Sequence, residues 1–149
     1  MDLTGLIAVL LAGLLAGSEL TSWAIVHPTL WKLDHHAQVR AEKLMYKRFA
    51  SIDPFLMTAT VVACFVGAAV LEGTSSTLAL AAALCFSAML AITLIGNMPL
   101  NPRVFRWDEE GGDPRTSGGV SRAGGTGCRF RIALDVAGFV LVALAVVGP

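Results

Sequence analysis

Charge is the scarcest property of this sequence. Lys, Arg, Asp and Glu make up 15% of its 149 residues, where a soluble domain carries roughly 25%. The net charge is zero. That shortage points away from a soluble domain and toward a membrane protein of one domain, residues 1–149. Cysteine is also sparse. Cys64, Cys85 and Cys128 show no pairing pattern, so a disulfide scaffold is not expected, and two of them lie in apolar runs as small buried side chains. No G-x-G-x-x-G follows a strand, so a nucleotide cofactor has no fingerprint here. The chain opens Met-Asp with no basic n-region and no small-residue cleavage site, and the first apolar segment reads as a retained span. A nucleic-acid partner is not expected.

What the sequence has is apolar length. Hydrophobic residues make up 55% and the mean hydropathy is +0.69. Four segments approach the roughly 20 residues that cross a bilayer, at about 4–26, 54–71, 77–96 and 132–147. The expected fold is all-α, an integral membrane four-helix bundle. "EGTSST" between the second and third spans is a tight turn that makes those helices antiparallel neighbours. Between the first and second spans, "DHHAQVRAEKLMYKRFASI" reads as an amphipathic interfacial helix. Asp34 is its N-cap, and Val39, Leu44, Tyr46 and Phe49 lie among basic residues, as at a membrane surface. Pro54 then opens the second span. The third connection carries "EEGGDPRTSGGVSRAGGTG", which predicts a mobile loop at about 108–128.

The basic residues set the expected orientation. Lys32, Arg40, Lys43, Lys47 and Arg48 precede the second span, and Arg103, Arg106, Arg115, Arg122, Arg129 and Arg131 lie between the third and fourth or open the fourth. Those are all 11 in the chain. The positive-inside rule then places both long loops in the cytoplasm and both termini outside the plasma membrane.

Polar groups collect at the same level. Glu19 and Asp135 are the only charges well inside the spans. A lone carboxylate at that depth costs at least about 2.5–3.5 kcal/mol, so it faces the bundle interior with a partner or a function. For Asp135 the plain alternative is a pair with Arg131, one helical turn away. Glu19, Trp23 and His27 follow an i, i+4, i+8 spacing, with His27 about 12 Å along the helix from Glu19. His27, His35 and His36 are the only histidines, and histidine suits proton transfer near neutral pH. "NMPLNP" ends the third span, where Pro99 and Pro102 leave helix carbonyls without partners. Asn97 and Asn101 either fill those bonds or point donors into a pocket. Trp31 and Trp107 read as aromatic belt; Trp23 lies deeper and can wall a pocket, and Tyr46 fits either role.

These residues resemble a known family. The small residues Ala12, Gly13 and Gly17 before "HP", the N-x-P-x-N run Asn97-Met98-Pro99-Leu100-Asn101, then Trp107, Arg129 and Arg131 look like the DUF1772, or anthrone oxygenase-like, integral membrane proteins. Family members often carry R-x-x-W near the fourth span; "CRFRIALD" has no tryptophan, and both arginines stay candidates. The resemblance implies oxidation of an anthrone or other electron-rich polycyclic phenol to a quinone with dioxygen, in aromatic polyketide-type biosynthesis. Such a reaction needs a base, for which His27 is the first candidate and Glu19 the second. It needs donors for an oxyanion, for which Asn97, Asn101 and Arg129 are candidates. Trp23, Tyr46, His36 and Arg131 would contact the apolar aromatic substrate. A cofactor-free reaction is favoured; a redox metal or haem stays open, and a metal would draw on His27, His36 and Glu19.

Two other classes remain. Small multidrug-type transporters are also four-span proteins with a carboxylate in the first span, and Glu19 fits a proton-coupled pump. The long basic loops and N-x-P-x-N favour the oxygenase. A non-catalytic accessory subunit would tolerate neutral replacement of Glu19 and His27. Glycine- and alanine-rich faces allow self-association into a homo-oligomer.

Overall fold

The computed structural model describes residues 3–97 and 128–148. Helix α1 (Leu3–Thr21) runs into a π-helical turn (Ser22–Val26) and a short α2 (His27–Leu30), together one span. Then come α3 (His35–Val70), α4 (Gly73–Ile92) with a second π-helical turn (Thr93–Asn97), and α5 (Cys128–Val147). Four helical stretches are long and apolar enough to cross a membrane, and no strand occurs among the described residues. The fold is the expected integral membrane four-helix bundle.

The helices close a ring. α1 packs on α3 and α5, and α4 packs on α3 and α5, so α1 lies diagonally across from α4. Small residues line the interior: Ala8, Ala12, Ala82 and Ala83 are buried with Leu15, Met57, Phe86, Met89 and Val142. Large apolar side chains such as Leu14, Phe55, Leu84 and Leu144 point outward. This inside-out arrangement suits lipid, where association depends on close packing rather than on burying apolar surface. At Gly138 of α5 a Cβ would sit 2.8 Å from Phe86 of α4, so glycine sets the approach of those two helices. α3 and α4 are joined through Leu71 and Glu72, and Gly73 takes a left-handed φ of 59° that closes the turn. Ser76 Oγ donates across it to the Ala68 carbonyl at 2.6 Å.

One expectation changes. Asp34 does cap α3, its Oδ1 accepting from the Ala37 N–H at 3.0 Å. But the amphipathic segment is not a separate interfacial helix. It is the first half of α3, which runs 36 residues without a break and carries Pro54 inside. Proline removes one helix hydrogen bond, here the one to the Ala50 carbonyl, and does not end the helix. At 1.5 Å per residue α3 is about 54 Å long, well beyond the roughly 30 Å hydrocarbon core. Leu44 is 63% exposed and Val39 is buried, so the apolar residues do not share one lipid-facing side. The loop expected at about 108–128 falls outside the described residues up to 127.

Candidate functional site

Charged groups from three helices meet inside the bundle. Glu19 projects from the last turn of α1 and Arg131 from the first turn of α5. The Arg131 Nη2–H donates to Glu19 Oε1 in an ion pair, and both side chains are largely buried. This pair joins positions 112 residues apart. One turn further along α5 lies Asp135, 0% exposed. Among the described residues, both its carboxylate oxygens lack a hydrogen-bond partner, as does the buried Nε of Arg131. Asp53 of α3, half-buried, lies within electrostatic reach of Glu19, Arg131 and Asp135. Three carboxyls thus lie within electrostatic reach of one guanidinium, and one of them pairs with it. One guanidinium pairs with one carboxylate, so the cluster holds more acid than base inside the bundle. A buried polar group left without a hydrogen-bond partner costs about 1–3 kcal/mol, which makes Asp135 and Arg131 candidate site residues.

A second polar group lies toward the loop-bearing end. His27 opens α2, half-buried, its ring centroid 6.3 Å from that of Trp31, and within electrostatic reach of Glu42 on α3. Glu42 and Gln38 are 4% and 2% exposed. Gln38 Nε2 donates to Glu42 Oε1 at 3.0 Å.

The structure sorts the expected residues. Glu19 points inward, as expected. Arg131 rather than Arg129 faces the interior; Arg129 is exposed. Asp135 does not pair with Arg131 as its spacing suggested, because Arg131 reaches across to Glu19. Trp23 is 38% exposed; it sits in the π turn, whose wider pitch departs from the i, i+4, i+8 spacing of an α-helix. His27 joins Glu42 rather than Glu19. His36 is exposed and lines an open groove of about 640 Å³ with Arg40 and Leu44. Tyr46 is half-buried on α3. Among the described residues no three His, Cys, Asp or Glu side chains could hold a metal ion, so His27, His36 and Glu19 are not assembled as a ligand set. Asn97 closes the second π turn with its backbone. Asn101 and Trp107 lie outside the described residues. π turns occur often at functional sites, and the two here end spans one and three at the same end of the bundle.

Asp53, Gln38 and Glu42 were not singled out from sequence. Asp53 had a signal, an acid immediately before the proline of an apolar span. Gln38 and Glu42 had the i, i+4 spacing of a helix-face pair.

Comparison with known proteins bears on the same residues. The model of a family described as anthrone oxygenase matches residues 43–141, about two thirds of the chain. Asp53, Arg131 and Asp135 lie inside the match; Glu19 and His27 lie before it. Neither curated proteins nor solved structures give a match. A family match of this extent, over three of the four spans and both α5 site residues, shows that the chain belongs to the anthrone oxygenase family.

Proposed function

We propose that the protein is a membrane-embedded oxygenase that converts an anthrone-like or other electron-rich polycyclic phenol to a quinone with dioxygen, in aromatic polyketide-type biosynthesis. The observation that carries this reading is the free donor and free acceptor side by side on α5. Arg131 Nε–H and the Asp135 carboxylate are one turn apart, buried and without a hydrogen-bond partner among the described residues. An anthrone has a carbonyl that accepts a hydrogen bond and, across the central ring, a methylene whose hydrogens are acidic because their loss makes the ring aromatic.

In this mechanism Arg131, held by Glu19, donates to the substrate carbonyl and stabilises the oxyanion that forms there. Asp135 removes one methylene proton. The resulting anion passes an electron to dioxygen; the two radicals combine, making a carbon–oxygen bond at the former methylene carbon. Asp135 returns its proton to the peroxide. Loss of the second methylene proton with cleavage of the O–O bond then leaves a carbonyl and releases water. One oxygen atom enters the quinone and the other leaves as water, so the reaction balances with dioxygen as its co-reactant. The base assignment moves from His27 to Asp135, because His27 sits with Glu42 nearer the loop-bearing end. An apolar polycyclic substrate would reach the interior from the bilayer between helices. The reading keeps both long loops in the cytoplasm and both termini outside the plasma membrane.

The test is oxygen uptake with quinone absorbance, using the full chain in lipid nanodiscs and an anthrone substrate. One dioxygen consumed per quinone, above the rate without protein, is expected, and Asp135→Asn should remove it. No uptake above background, with proton-coupled efflux of an aromatic cation from proteoliposomes, would overturn the oxygenase in favour of a transporter.

A further inference from the structure

Helix α3 separates its charges by face. Its first half carries the cations Arg40, Lys43, Lys47 and Arg48 and the acids Glu42 and Asp53. Glu42 is buried, and Asp53 is half-buried within reach of Glu19 and Arg131. Arg40, Lys47 and Arg48 are exposed, and none of the three makes an ion pair with another described residue. A solvated helix commonly sets acids at i, i+4 from its bases. Here the exposed positions of α3 from 36 to 55 include no acid. Lys47, Arg48, Ser51 and Phe55 are all exposed and share one face roughly 100° wide.

Depth puts this face at the membrane surface. The turn after Val70 marks one side of the bilayer. A hydrocarbon core of about 30 Å takes about 20 helical residues, from Val70 back to Ser51. The headgroup layer beyond it is roughly 5–7 Å thick, and Lys47 and Arg48 lie in it. Phe55, 77% exposed, lies about one turn inside the hydrocarbon edge. Cations at headgroup level above an exposed ring match the outline of a phospholipid, phosphate outside and acyl chain inside. A second copy of the chain fits less well, because it would bring the same cations to this face.

We propose that Lys47 and Arg48 form a binding site for an anionic phospholipid, with its phosphate between the two cations and an acyl chain along Phe55. Lys43 and Arg40, about one and two turns further along α3, add to the field that draws negative lipid to this face. The proposal is independent of the oxidation. Each cation near an anionic membrane surface favours binding about fivefold, and the effect falls away within a Debye length. The site therefore selects a headgroup of net negative charge over a zwitterionic one, whose own cation offsets its phosphate.

Lipid retention tests this with the full chain in nanodiscs of phosphatidylcholine that contain a minority of phosphatidylglycerol. After release into detergent, native mass spectrometry identifies the lipids held by each protein molecule. The wild type should hold phosphatidylglycerol roughly tenfold or more above its share in the disc, and high salt during release should weaken that preference. Lys47→Gln with Arg48→Gln should bring retention to the disc's own composition. Lys47→Arg with Arg48→Lys, which keeps both charges, should preserve the preference. Lys32→Gln, exposed at the same end of the bundle but off α3, should leave it in place. Wild-type retention that matches the disc would overturn the site. So would a Lys32→Gln variant that loses as much as the Lys47 and Arg48 pair, since that result belongs to a diffuse basic surface. A preference that emerges only when Asp108→Asn, Glu109→Gln and Glu110→Gln are combined would assign the cations to the chain's own acids. A dimer mass in place of retained lipid would assign the face to a second copy. Either result would overturn the proposal.

Discussion

At the scale of single residues, the site separates charge from shape. Asp135→Asn keeps the side chain's volume and removes a buried carboxylate with no hydrogen-bond partner among the described residues. The fold should persist with an unchanged or raised unfolding midpoint, while oxidation falls about 100-fold or more, the usual worth of a positioned base. Glu19→Gln acts differently. It leaves Arg131 buried opposite a neutral amide, and breaking a buried pair from one side costs about 3–5 kcal/mol. Glu19→Gln combined with Arg131→Met should recover most of that stability and no activity. Unfolding in mixed micelles, read as a double-mutant cycle, checks the difference. Much of this was open to reading from sequence. Glu19 had to face inward because lipid does not solvate a carboxylate. Its partner was not readable, since Arg129 and Arg131 are two positions apart and only the helix phase, fixed by packing, turns one inward. Asp135 shows the limit of local spacing, where a turn-distant arginine was the obvious partner and a distant glutamate took it.

At the scale of the helices, the π turn in span one makes a distinct prediction. A π turn holds one residue more than the α ladder needs. Deleting Ala24, inside Ser22–Val26, should relax it to α-helix with Glu19 and His27 still near their places in the bundle. Deleting Leu14, inside regular α1, should instead rotate the remainder of the span by roughly 100° and break the Glu19–Arg131 pair. Circular dichroism with thermal unfolding distinguishes them: similar midpoints for Ala24-deleted and intact protein, a lowered one for the Leu14 deletion. Equal damage from both would mean that the turn is not a local insertion. Neither π turn was legible from sequence, because hydropathy does not record which carbonyl an amide reaches. The continuity of α3 was hidden for a related reason. Pro54 resembles a helix start, yet the residues before it are good helix formers with a working cap at Asp34.

At the scale of the whole molecule, four apolar stretches and a two-residue turn specify the ring, and the basic residues predict its direction. In a cysteine-free background, Thr74→Cys should react with a membrane-impermeant maleimide in intact cells, since it lies by the turn between α3 and α4. Lys32→Cys should react only after lysis. The opposite pattern would invert the orientation and place the polar groups near the outer face.

The Glu19–Arg131 pair also has a history within each molecule's synthesis. Span one brings its acid to the membrane when the arginine that will meet it, 112 residues later, has not been made. At about 5–20 residues per second the interval is on the order of ten seconds. Throughout it, the nascent protein carries an intramembrane acid without its counter-ion. Helix α5 supplies that ion, so the contact forms only after the fourth of the described spans has been made. A polypeptide halted before α5 keeps that acid in its first span without the arginine that pairs with it in the folded bundle.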